Sequence, residues 1–187
     1  MCDQKNKINM SQTTWVLDPA HSEINFKVKH LMITNVSGSF SKYDVAAVTE
    51  GDDFSTAKIS FNAETASVTT HNEQRDGHLK GAEFFDVEKY PVMTFTGTKY
   101  VPVDKNGNYE LLGDLTIKSI TKPVTLSVEF GGVAKDPWGN AKAGFSINGK
   151  FNRKDWGLNW NAALEAGGVL VSDEVRINSE IQLVKKA

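Results

Sequence analysis

Apolar and polar residues alternate through much of this chain. In Glu23-Ile24-Asn25-Phe26-Lys27-Val28-Lys29 every second side chain is apolar. The same beat returns in Lys58-Ile59-Ser60-Phe61-Asn62-Ala63, in the run from Pro123 to Phe130, in Lys142 to Ile147 and in Glu174 to Asn178. A period of two sends successive side chains to opposite faces of a strand. Each strand then has one wet and one buried face, as in antiparallel sheets closed around an apolar interior. A closed antiparallel barrel can hold an apolar ligand where another fold holds only its own core. Alternation alone does not separate that barrel from a β-sandwich with a solid interior.

The punctuation between these runs gives the order of elements. Strand regions are expected from Trp15 to about Ile33, interrupted near Asp18-Pro19, and from Val36 to Val45, with Gly38 marking a bulge or bend. Glu50-Gly51-Asp52-Asp53 reads as a turn before the strand around Ile59. Asn72 to Gly81 loses the beat and reads as a short surface helix, with Asn72 as N-cap and Gly81 as a C′ stop. Strands follow at Val92 to Tyr100, Leu111 to Ile117, Val124 to Phe130 and Ala141 to Phe151, with turns at Asn106-Gly107 and at Asp136 to Gly139. A long loop through Trp156 and Trp160 leads to the last strand, Glu174 to Leu183. The reading is all-β, about eight strands with one short helical insert. It places a flexible N-terminal arm at residues 1–13 and one barrel domain at 14–187.

A net charge of −2 with no basic stripe argues against a nucleic-acid partner. The longest apolar runs are a few residues, too short for a membrane-spanning helix. Cys2 is alone, so a disulfide framework is excluded. Cys2-Asp3-Gln4-Lys5-Asn6-Lys7 has no apolar core of a secretory signal, so the chain as written is expected to be cytoplasmic, with Met10 as a candidate start. The alternative is a periplasmic lipoprotein with Cys2 as its lipid-bearing first residue.

Sites for chemistry are sparse. His21 and His30, and His71 and His78, form no compact ligand pair, and no carboxylate cluster completes a metal site. Asp155 sits between Lys154 and Trp156, close to Arg153, and reads as part of an ion-pair network more than as a general base. No nucleophile elbow or phosphate-binding loop is present. No catalytic residue, metal or cofactor is assigned. Small residues share the inward phase with large ones: Ala63, Gly113, Ala143 and Gly149. They leave volume, fit a tapering barrel or permit a bend. Phe84 and Phe85, and Trp156 and Trp160, either rim a ligand entrance or plug the barrel end.

Several tracts together resemble the YceI-like family. The opening tract is Trp15-x-Leu17-Asp18-x-x-His21-Ser22-x-Ile24-x-Phe26-x-Val28-x-His30-Leu31, followed by Val36-x-Gly38-x-Phe40. Arg75-Asp76-x-His78-Leu79, Phe84-Phe85-Asp86 and Tyr90-Pro91 resemble the family's helical insert. Gly113-x-Leu115-Thr116-Ile117 with Thr121-Lys122-Pro123-Val124 resembles its central hairpin, and Arg153-x-Asp155-Trp156-Gly157-Leu158 with Trp160-Asn161 its late loop. The likeness runs over about residues 15 to 184, and Ser119 departs from it where many relatives have Gly.

The resemblance implies an extended, lipocalin-like eight-stranded antiparallel barrel with an apolar tunnel for polyisoprenoid chains, quinone-type tails or other long amphiphiles. It implies no catalysis, and dimers are common in the family. Strand phase then names Phe26, Val28, Phe40, Ile59, Phe61, Phe95, Leu115, Ile117, Leu126, Val128, Phe145, Ile147 and Ile177 as tunnel lining. Motif membership and polarity name His21, His30, Arg75, His78, Arg153 and Asp155 as contacts for a polar head. Phe84, Phe85, Trp156 and Trp160 are expected at the mouth. The expected partner is an isoprenoid or other amphiphilic lipid. Two alternatives remain open: an enzyme acting on such a lipid through His21 or Asp155, and a protein-interaction module built on the Trp156–Trp160 loop.

Overall fold

A computed structural model describes residues 11–165 and 167–186. Cys2, Met10 and most of the expected N-terminal arm lie outside the described residues. Gln12 and Thr13 do not belong to an arm: they open the first strand, opposite Glu50 and Thr49.

The elements in chain order are β1 (Gln12–Leu17), β2 (Glu23–His30), β3 (Thr34–Phe40), β4 (Tyr43–Glu50), β5 (Asp53–Glu64), β6 (Val68–Thr69), α1 (Glu73–Lys80), β7 (Val92–Pro102), β8 (Asn108–Ile117), β9 (Ile120–Lys135), β10 (Ala141–Asn152) and β11 (Val171–Lys185). Three pairs of segments are single strands broken by a bend. β1 and β2 both lie along β11, separated by a 3-10 turn at Pro19–His21. β3 and β4 run antiparallel to them, β3 on β2 and β4 on β1. β5 and β6 follow, broken by a second 3-10 turn at Thr65–Ser67. With β7 to β11 this makes an eight-stranded, all-antiparallel barrel, closed where Trp15 to Leu17 pair with Leu183 to Lys185. Nearly every strand pairs with its neighbour in sequence, so the connections are short and closure removes the free edges.

The bend at Asp18-Pro19 has a local cause. The Asp18 side chain accepts from the Ala20 N–H at the start of the turn, and proline takes the first position, where no N–H is needed. Gly38 does not mark a bulge: β2 and β3 pair without a register shift through it. Its missing side chain makes room for the Phe26 ring, which a Cβ there would strike. The helix is placed as expected. Asn72 accepts from the Arg75 N–H, and Gly81 ends α1 by donating to the His78 carbonyl. Gly81 has φ −72, so it stops the helix without a left-handed C′ conformation.

All loops of one end come from four places: the β2–β3 turn, the α1 insert, the tight β8–β9 turn and the segment 153–170. This end is called the mouth. The other end holds the β4–β5, β7–β8 and β9–β10 turns and is packed with rings. Trp15 lies 4.8 Å from Phe54, and Phe54 lies 5.3 Å from Phe130 and 5.1 Å from Phe145. Tyr100 stacks on Tyr109 at 4.3 Å. The Trp15 indole N–H donates to Thr49 Oγ1 at 3.0 Å, so this fully buried ring leaves no polar atom unpaired. No described helix is long and apolar enough to cross a membrane.

Candidate functional site

The mouth half of the barrel is hollow. A cavity of about 560 Å3 runs inward from α1 to Ile147 and Ile181. It is open to solvent at the helix, where Asn72, Gln74 and Arg75 are both exposed and part of its wall. Inside, the wall is carried by alternate residues of the strands, as Phe26, Val28 and His30 on β2 illustrate.

Of the residues expected from strand phase, Phe26, Val28, Phe40, Ile59, Phe61, Phe95, Leu115, Ile117, Leu126, Ile147 and Ile177 line this cavity. Val128 and Phe145 do not. They point inward but lie deeper, beside Phe54 and Leu183 around a separate void of about 40 Å3. Their phase is as expected; their depth along the strand, which phase cannot report, puts them in the packed end. Ile24, Val36, Met93, Val124 and Val175 line the cavity and were missed. All five share phase with residues already named on the same strand, and that was the available signal.

The small inward residues do not create the void. A Cβ on Gly113 would strike the Phe95 ring, and one on Gly149 would strike Leu126. Ala63 and Ala143 are fully buried. These positions let a large neighbour lie flat across the wall, and the cavity is bounded by those large side chains.

The rim carries the polar groups. His30, Arg75, His78 and Arg153 all line the cavity; His21 and Asp155 do not. His21 lies away from the mouth, at the bend between β1 and β2, because β2 runs toward the mouth and His21 precedes it. Its ring Nδ1 is 3.0 Å from Asp18 Oδ2, in a cluster with Lys142 and Gln182. Asp155 is an exposed residue of the 3-10 turn Arg153–Trp156. The alternative of an enzyme using His21 or Asp155 therefore has neither side chain at the cavity.

Arg75, His78 and Arg153 are each held in place. The Arg75 guanidinium donates to Thr70 Oγ1 at 2.7 Å and to the Thr70 carbonyl at 2.9 Å. Burial alone would raise the pKa of the adjacent Asp76, but hydrogen bonds from Thr70 and Thr69 more than offset it and hold the carboxyl below its usual range. Asp76 thus stays charged and ties α1 to β6. His78 contacts Phe84 and Trp160 edge-on at 5.0 and 4.6 Å, and its Nε2 lies 2.7 Å from Glu83 Oε2.

Arg153 is 3% exposed. Its Nε donates to the Ser172 carbonyl at 3.0 Å and its Nη1 to the Leu158 carbonyl, which pins the segment 153–170 against β11. Burial pulls the guanidinium below its usual pKa, and Asp173, 3.6 Å from Nη2, opposes that. Nη2 has no hydrogen-bond partner among the described residues. Asp173 Oδ1 likewise has none among the described residues, so the two atoms face each other as a long ion pair beside the cavity wall.

Phe84, Phe85 and Trp160 also line the cavity. Trp156 does not stand at the mouth: it is 2% exposed, packs edge-on against Phe151 and donates its indole N–H to the Leu115 carbonyl at 3.0 Å. With Trp156 buried in this way, the loop has no pair of free indoles with which to dock a partner.

A family model, the YceI-like domain, matches residues 15–183. The chain belongs to the YceI-like family. UPF0312 proteins of Staphylococcus aureus are 41% identical over 171 residues, covering 91% of this chain and 96% of theirs. The crystal structure of a Campylobacter jejuni YceI protein superposes with a TM-score of 0.73 at 38% identity, over 91% of this chain and 97% of that one. A polyisoprenoid binding domain from Saccharophagus degradans, at 14% identity, shares the fold with a TM-score of 0.63 over 92% of this chain and 98% of that one. This YceI-like chain thus has the closed, lipocalin-like barrel that its motifs suggest.

Proposed function

We propose that this YceI-like protein binds the long apolar tail of an isoprenoid lipid in the barrel, with the polar head at the rim, and carries or stores it unchanged. One observation carries the reading: the cavity is large, walled almost wholly by aliphatic and aromatic side chains, and polar mainly at its open end, with Ser179 deep in the wall. At about 0.8 kcal/mol per buried methylene, a long tail gains affinity from burial alone, less the cost of ordering it. The S. degradans neighbour, a polyisoprenoid binding domain, supports the same ligand class.

The rim favours a neutral head. Arg153 stands beside Asp173, and Arg75 beside Asp76, so little net positive charge remains for a diphosphate. A quinone-type carbonyl would accept from Arg153 Nη2 without requiring a second charge. Titration with prenyl alcohols and prenylated quinones of increasing length, followed through Trp160 fluorescence, tests this. Affinity should climb with tail length until the cavity is full. Organic extraction of protein purified from its host should release a stoichiometric lipid, unaltered on prolonged incubation. No extracted lipid together with no binding of added isoprenoids would overturn the reading.

A further inference from the structure

The β2–β3 turn carries three consecutive large apolar residues at the rim. Leu31, Met32 and Ile33 are 37%, 56% and 75% exposed. Leu31 and Met32 both adopt left-handed backbone conformations, φ 52 and 59, which residues with a Cβ normally avoid. A turn built only to reverse the chain would place Gly or Asn there. The turn is nevertheless fixed: the Leu31 N–H donates to the Leu170 carbonyl at 2.9 Å, and the Ile33 N–H to the His30 carbonyl at 3.1 Å. His30 and Leu170 both line the cavity, so the exposed tip is continuous with the cavity wall.

The two strands that carry the tip bear charge of one sign beyond Glu23. From Ile24 to Tyr43 the chain has no Asp or Glu, although its net charge is −2. Lys27 and Lys29 alternate with the inward Val28 and so face outward. The nearest acids on β11 are occupied, Asp173 by Lys154 and Glu174 by Arg176.

We propose that Leu31, Met32 and Ile33 insert into a lipid bilayer bearing anionic headgroups, with Lys27 and Lys29 at the headgroup level, so that the cavity mouth is held against the membrane surface. A tip of three side chains is far smaller than a stable protein interface requires, whereas a fluid bilayer fits itself to a small apolar protrusion. This inference rests on the lipid-tail reading for its purpose, but its test is separate.

The test is co-sedimentation with phosphatidylcholine vesicles, with and without phosphatidylglycerol, for the wild type, M32S/I33S, K27Q/K29Q and W138S. Trp138 is 84% exposed but sits on the β9–β10 turn at the opposite end, and serves as the control. The wild type should partition onto the anionic vesicles. M32S/I33S should lower the partition coefficient about tenfold or more, in line with lost apolar insertion. K27Q/K29Q should remove the preference for anionic vesicles, and W138S should behave as the wild type. An I33W variant should shift its emission to the blue on adding vesicles. Isoprenoid binding from detergent solution should be equal in the wild type and M32S/I33S, which separates failure of docking from failure of tail binding. Unchanged partitioning of M32S/I33S, loss in W138S, or a concentration-dependent dimer that M32S/I33S abolishes without any vesicle binding would each overturn the proposal.

Discussion

The two ends of this barrel use the same strands for opposite purposes. In the end opposite the mouth, Trp15, Phe54 and Leu183 are buried among rings and leave only a small void. In the mouth half, Phe26, Ile59, Phe61, Leu126 and Ile177 are only half-buried where they face the cavity, while Phe40, Phe95, Leu115 and Ile117 line it from buried positions. Hydrophobicity does not distinguish Phe54 from Phe61, and strict alternation would put them on opposite faces of β5; the irregularity in the β4–β5 pairing between Val48 and Glu50 brings both inward. What differs is the residue across the barrel. Phe54 meets three other aromatic rings, whereas Phe61 faces open volume capped by α1 and the segment 153–170.

The largest effect should come from removing Trp15. W15A should cost about 3–5 kcal/mol in urea unfolding, because its contacts and its bond to Thr49 are lost together. F61A, at the hollow end, should cost less than about 2 kcal/mol, because its ring already faces empty space on one side. Equal losses would break the comparison.

Next come the wall glycines. G113A should destabilise by about 1–3 kcal/mol by forcing a methyl group against the Phe95 ring. G144A, on β10 with nothing near its added Cβ, should stay within about 0.5 kcal/mol of the wild type. The pair sharpens the claim that inward glycines seat large neighbours rather than create the cavity.

I177W fills the hollow half. It should lower isoprenoid affinity tenfold or more, about 1.4 kcal/mol, while changing stability less than W15A does. A variant that binds as tightly as the wild type would place the tail elsewhere.

The smallest effect belongs to the far end. The hydrogen bond from Lys142, at 2.5 Å, and then those from His21 and Gln182, outweigh burial and hold the Asp18 carboxyl down to about 2. A depressed carboxylate pKa adds stability above the unfolded value, near about 3.9, and that stability is lost as the pH falls through the folded value. D18N should therefore be less stable than the wild type by about 1 kcal/mol at pH 6, allowing for solvent screening at the barrel end. The gap should close between about pH 4 and pH 2 in thermal unfolding. A gap independent of pH would assign the effect to shape rather than charge.

Much of this was legible in the residues. Alternation located the strands, Asp18-Pro19 the bend in the first one, and Asn72 the start of α1, because these are local signals with local physical causes. Phase also named eleven residues of the cavity wall. Misplacements came from distances that a single strand does not encode. His21 and His30 share one strand region in the sequence, yet the length of β2 separates His21 at the bend from His30 at the rim. Trp156 and Trp160 are four residues apart in one loop, and the 3-10 turn at Arg153–Trp156 buries the first while the second reaches the rim. Leu158 and Leu170 lie in an irregular segment with no period to reveal that they face inward.

By itself, the order of apolar and polar residues determined that this chain forms antiparallel strands with one buried face, because side-chain direction in a strand follows from position alone. It also marked the turns, where backbone conformation selects its residues. Only the tertiary structure decided that the buried faces enclose a cavity in one half and a packed core in the other. Whether an inward side chain meets a partner or open space depends on residues up to the full length of the chain away, as where Trp15 closes the barrel opposite Lys185.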